Sequence, residues 1–130
     1  MTLEISSAHN GYRLAGTLSH LNLGAGAARV RLYPTPRPAL GGTPAGAMLV
    51  EIGLTNPAGS VAGGVLTLTP AADGVVATGG VATWARVVNG NGDLSFDCDV
   101  TALAGAGEIK MASTTLISGG AARITSAVLG

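Results

Sequence analysis

Between Val81 and Val100, two runs of alternating character, VATWARVV and DLSFDCDV, flank Asn89-Gly90-Asn91-Gly92. Asn-Gly pairs readily supply the positive φ angles of tight turns, so this spacing predicts a β-hairpin and commits the middle of the chain to a sheet. The strict period of two puts Ala82, Trp84, Arg86 and Val88 on one side of the first arm and Thr83, Ala85 and Val87 on the other.

The remaining pattern is strand after strand. Val30 and Leu32 alternate with Arg29, Arg31 and Tyr33 over Ala28 to Tyr33, and Pro34-Thr35-Pro36-Arg37-Pro38 then stops the run. Three prolines in five residues favour an extended arm without ladder donors, suited to a loop or to a segment reaching a neighbour. From Ala47, Met48, Val50, Ile52 and Leu54 alternate with Leu49, Glu51, Gly53 and Thr55, and Asn56-Pro57-Ala58-Gly59 is expected to close the strand. Further strands are expected at Val65 to Thr69, at Val75 to Thr78 and at Ala122 to Leu129, the last with Ile124 and Val128 facing one way. Near the N-terminus, Ser6 or Ser7 can cap a helix over residues 8–21, with Leu14, Leu18 and Leu21 on one face. Gly11 and Gly16 weaken it by about 1 kcal/mol each, so this helix needs tertiary packing.

These elements predict a mainly β chain: a single domain over residues 1–130, a jelly roll or β-sandwich of seven to eight antiparallel strands with one N-terminal helix. The 130 residues suit one core, and 21 Gly with 6 Pro, dispersed between apolar runs, read as turn residues of an ordered fold. Charged residues make up only 11% and the formal net charge is zero. A weakly charged, partly apolar surface favours association, so the composition reads as that of a subunit covered in its working state. Seven basic against seven acidic residues leave no electrostatic footprint for nucleic acid or an anionic membrane. The apolar runs are far shorter than a spanning helix needs. The start MTLEISSAHNGYRL lacks the basic and apolar regions of a secretory signal, so synthesis in the cytoplasm is expected.

Chemistry-bearing residues are scattered. Gly24-Ala25-Gly26-Ala27-Ala28-Arg29 starts like a dinucleotide fingerprint but has Arg in place of the third Gly and precedes a strand. Asn89, Asn91 and Asp93 have the first spacings of a calcium loop, yet Leu94 stands where its glycine belongs, and a hairpin tip fits better. Asp97 and Asp99 share a strand face and read as solvated residues before they read as a catalytic carboxylate pair. Their presence beside Cys98 raises a thiol pKa, so Cys98 reads as a small buried strand residue. His9 and His20 lie about 16 Å apart along the helix and cannot share a metal. Ser113, Thr114 and Thr115 have no neighbouring base and would have to borrow a histidine from the helix. Trp84 reads as a core anchor; with Tyr33 it also keeps a carbohydrate-binding sandwich open, against an aromatic content of only 3%. No catalytic residue, cofactor site or metal site is assigned, and a small hydrolase using Ser or Asp is the enzymatic alternative.

The order of features is a helix, a strand Ala28-Arg29-Val30-Arg31-Leu32-Tyr33 with a Pro-rich segment, then GGVLTLTP, GGVATWARVVNGNGDLSFDCDV and TTLISGGAARITSAVL. This resembles small structural proteins of tailed bacteriophages, over nearly the whole chain. The resemblance implies a non-enzymatic capsid cement or decoration protein of jelly-roll type. It would be made in the host cytoplasm, located on the capsid surface of the virion, bound to the major capsid protein and self-associated as a dimer or trimer. A neck or tail component of the virion is the alternative within the same resemblance.

Overall fold

The computed structural model describes residues 3–130, and its helix forms where the leucine spacing placed it, as α1 (Ser7–Leu21). Ser6 is the N-cap, its hydroxyl accepting from the His9 N–H at 3.0 Å. Leu21 is fully buried and Leu14 and Leu18 pack on the core, which supplies the tertiary support that Gly11 and Gly16 make necessary. At its C-terminal end, Asn22 Oδ1 accepts from the Ala58 N–H at 2.9 Å.

Eleven strands follow: β1 (Arg29–Tyr33), β2 (Val50–Ala62), β3 (Val65–Pro70), β4 (Gly74–Val75), β5 (Gly80–Val81), β6 (Trp84–Val88), β7 (Leu94–Ala102), β8 (Ile109–Met111), β9 (Thr115–Leu116), β10 (Ala121–Ala122) and β11 (Ser126–Leu129). Seven of them close a barrel in the order β1-β2-β3-β11-β8-β7-β6 and back to β1. The mainly β class with one helix is therefore present. The expected two-layered antiparallel arrangement is not what the pairing describes: the ring is closed, and β7 and β8 run parallel, Val100 opposite Ile109. Closure depends on β11 inserting between β3 and β8, where Leu129 meets Leu66 and Ala127 meets Ile109. Sandwich and barrel present the same inward alternation, so local pattern does not separate them.

Side chains fill the barrel. Val30, Leu32, Ile52, Leu54, Leu66, Val87 and Ile109 are all buried, each on the inward parity of its strand. From Trp84 the hairpin of β6 and β7 alternates as expected, with Ala85 and Val87 inside, but Ala82 joins the core instead of sharing the face of Trp84, and the register shifts between Val87 and Val88.

Two expectations need correction. Asn56-Pro57-Ala58-Gly59 does not end the third run: the register shifts between Leu54 and Gly59, and β2 bulges and continues to Ala62. The actual reversal is at Gly63-Gly64, both with positive φ, joining Ala62 to Val65 in the two-residue hairpin that paired glycines permit. The strand expected over Ala122 to Leu129 is likewise broken. β10 and β11 belong to different sheets, and the parity changes between them, so that Ile124 is buried while Val128 is exposed.

α1 and a second structure lie toward opposite ends of β2. The helix meets its far part near Ala58 and Val61. Near Val50 and Ile52 the barrel is covered by β4, where a Cβ on Gly74 would stand 2.6 Å from Val50 Cγ2, so only glycine lets the backbone approach so closely. β4 pairs with β10 and β5 with β9 in one common register: Val75 faces Ala121, and Val81 faces Thr115. Residues 74–82 and 114–122 thus form a single antiparallel ribbon, bent in its middle where Ala77 and Thr78 donate to the Leu49 carbonyl and Gly120 donates to that of Ile117.

Candidate functional site

Three regions gather side chains that the sequence left scattered. A cleft of about 640 Å³ lies between α1 and β7, with Leu14, Thr17 and His20 on one side and Ser95, Phe96 and Cys98 on the other. Here Ser95 Oγ and His20 Nδ1 share a hydrogen bond of 2.6 Å. Ser95, not Ser113 or its neighbours, is the serine that meets a helix histidine; it lies at the register shift between β6 and β7, where it has no cross-strand partner. Among the described residues no carboxylate bonds to His20, and Glu108, which also lines the cleft, accepts the Asp99 N–H at 3.0 Å. The pair therefore ties α1 to β7 without the orienting acid of a nucleophilic triad. Burial, reinforced by Glu108, pushes the Cys98 thiol up to about 12, which keeps it protonated and unreactive at neutral pH. His9 is exposed on α1, and among the described residues no three His, Cys, Asp or Glu side chains come together to hold a metal.

The hairpin tip is built around Asn89. Its Oδ1 accepts from the backbone N–H groups of Asn91 and Asp93, both at 3.0 Å, so the first oxygen of the calcium-like spacing faces donors and organises the turn.

The second region is the outer face of β1, β6 and β7. Register alone sets a row of charges across four strands: Glu51 lies opposite Arg31, Arg31 opposite Arg86, and Arg86 opposite Asp97. Arg31 bonds Glu51 at 2.8 Å, and Arg86 bonds both oxygens of Asp97 at 2.8 and 3.0 Å. The expectation of solvated aspartates fails for Asp97, whose side chain is 1% exposed against 12% for Arg86. The hydrogen bond to Asp97 raises the Arg86 pKa against the opposing effect of burial. Asp99 stays exposed and takes its own partner, Arg37, at 2.8 Å.

What buries this face is the Pro-rich segment. Pro34 accepts from Trp84 Nε1 at 2.9 Å, Gly42 accepts from Arg86 Nη1 at 2.9 Å, and Arg37 also reaches the Asp97 carbonyl. The arm is folded back on its own barrel. Of the two roles expected for the segment, a loop or a reach to a neighbour, the structure has the loop: the Pro34 and Gly42 carbonyls satisfy donors on β6 and hold it in place. Trp84 is 1% exposed but sits on the outside of the barrel, stacked on Tyr33 with centroids 4.6 Å apart and capped by Arg86 at 5.3 Å. It anchors a small outer cluster and not the central core, and its stacked ring offers no open platform for a sugar.

The ribbon is the third region, and it differs in every respect. From Gly74 to Ala85 and from Met111 to Ala122 there is no charged residue. One face is buried through Val76, Ala82, Leu116 and Ala122, which join the core. The other presents Val75 (74% exposed), Ile117 (73%) and Val81, with small neighbours Ala77, Thr115 and Ala121. β9 and β10 are each paired on one side only. Beside Ile117 the free side of the ribbon opens into a recess of about 320 Å³, lined by Met111, Leu116, Ala122 and Thr125. The strand expected over Val75 to Thr78 is present only as β4 (Gly74–Val75), and the ribbon strands β9 and β10, two residues each, carry too short an alternation to be legible in the sequence.

Among the described residues no helix is long and apolar enough to cross a membrane. Comparison with protein family models, with curated proteins and with solved structures finds no match to this chain.

Proposed function

We propose that this chain is a non-enzymatic structural subunit of a tailed-phage virion, a cement protein that sits on the capsid surface, binds the major capsid protein and stabilises the lattice. The observation that carries the reading is the uncharged ribbon, with Val75, Val81 and Ile117 turned to solvent on a barrel that pairs Arg31 with Glu51 and Arg86 with Asp97 on another face. An exposed apolar face of this kind is a mark of protein contact. The resemblance of GGVATWARVVNGNGDLSFDCDV and TTLISGGAARITSAVL to small virion proteins supports the choice of partner. A shell holding packed DNA gains from clamps across subunit boundaries, because weak contacts repeated by symmetry add up.

Particles assembled without the chain should burst at a lower temperature than complete ones. Equal heat resistance would end the cement reading. Copy number separates the two virion locations: hundreds per particle mean the capsid, whereas a few to tens mean the neck or tail.

A further inference from the structure

We infer that the bent ribbon is a homotypic interface, covered by a second copy of this chain about a two-fold axis beside Ile117. The inference deepens the self-association part of the function proposed above and rests on that part alone.

The first argument is shape. Ile117 stands exposed on the rim of a recess of about 320 Å³ that Met111, Leu116 and Ala122 line together with Thr125 and Arg123. An apolar side chain on the rim of its own recess suits an isologous contact, in which a two-fold rotation sets each copy's Ile117 over the other's recess and closes a dimer.

The second is charge. A heterologous partner is commonly selected by complementary charges at the rim of a contact. Between Met111 and Ala122 and between Gly74 and Ala85 the ribbon has none, and at its end Asp73 and Arg123 already pair with each other at 3.0 Å. Such a face neither repels nor orients an unlike protein, while an identical face matches it in polarity by construction.

The third is the contrast in edge protection. β7 also has an unpaired stretch, since β8 joins it only from Val100 onward. There the Asp99 N–H is taken by Glu108 and the Asp97 carbonyl by Arg37, as charged side chains protect free edges against pairing. The outer sides of β9 and β10 carry neither charge nor proline.

Area agrees with the occupant. Covering Val75, Val81, Ile117 and their small neighbours on two copies removes on the order of 1,000 Å², where specific interfaces begin. A dimer of modest affinity follows, one that a lattice with high local concentration would fill.

Sedimentation of the full chain over a concentration series tests this, with circular dichroism confirming that each variant is folded. The native chain should reach the mass of a dimer, and Ile117→Asp should remain a monomer at concentrations at least tenfold higher, with an unchanged melting curve. Under oxidation Ile117→Cys should crosslink two copies, while His9→Cys on exposed α1 should not; buried Cys98 does not compete. A native chain that stays monomeric, a trimer mass, an Ile117→Asp variant that dimerises like the native chain, or equal crosslinking at position 9 would each overturn the inference. These readouts need no particle, so a failed capsid role and a failed interface are told apart.

Discussion

The face under the Pro-rich arm and the ribbon at the end of the barrel are both built from short antiparallel strands with alternating burial, yet they treat their outward residues in opposite ways. On the first, Glu51, Arg31, Arg86 and Asp97 are cross-registered into ion pairs, the Arg86–Asp97 pair is roofed by the arm, and Arg37 of the arm pairs with exposed Asp99 at the rim. On the second, valine, isoleucine and alanine are left bare. A chain with only 11% charged residues has thus gathered three ion pairs on one face and covered the central one itself. The difference teaches that low charge is not spread evenly here: its consequence is an uncharged ribbon with apolar side chains exposed to solvent.

Breaking the roofed face should cost most. Asp97→Ala leaves the Arg86 guanidinium buried without its counter-charge, and a loss of about 3–5 kcal/mol in urea denaturation is expected. A loss below about 1 kcal/mol would mean that the arm, and not the ion pair, holds this face. Alkaline pH probes the inward side of the same strand. The Cys98 thiol is raised from 9.0 to about 12 in the folded chain, so the unfolded state releases its proton first as pH rises. Stability contributed by the protonated thiol is complete below pH 9 and is lost progressively as pH rises from 9 toward about 12. Denaturation curves of Cys98→Ala should lack that component; an identical slope in both proteins would place the alkaline loss elsewhere.

Smaller effects separate the rim of the roofed face from its centre. Arg37→Ala removes an ion pair whose partners are both substantially exposed, and about 0.2–1 kcal/mol is expected by the same denaturation assay. A larger loss would show that Arg37 secures the arm through the Asp97 carbonyl. On the ribbon, Val75→Thr should change monomer stability by less than about 0.5 kcal/mol while weakening self-association in sedimentation. Were it to destabilise the monomer as Asp97→Ala does, the contrast between the two surfaces would collapse.

Elements with a complete local signal were legible. The Asn-Gly turn with alternation on both arms specified β6 and β7, and Ser6 with Leu14, Leu18 and Leu21 specified α1 to within one residue of its start. Where the local signal was ambiguous the outcome went either way: Asn56-Pro57 has turn chemistry, yet a bulge absorbs it because β3 offers pairing on its far side. The candidate surface was harder to see than the fold. Asp97 looked like any solvent-facing strand residue, since nothing in DxCxD shows that an arm more than fifty residues earlier will cover it.

By itself the amino-acid sequence determined the strands, the helix, the inward parity of most of them and the shortage of charge, because each follows from neighbours in the chain through turn chemistry, capping and a period of two. Only the tertiary structure decided that the sheet closes, that the proline arm folds home over Arg86 and Trp84, and that residues 74–82 pair with 114–122 to leave Ile117 outside. These choices depend on which edges meet across long separations, and the burial that rewards such a meeting exists only once the barrel has formed.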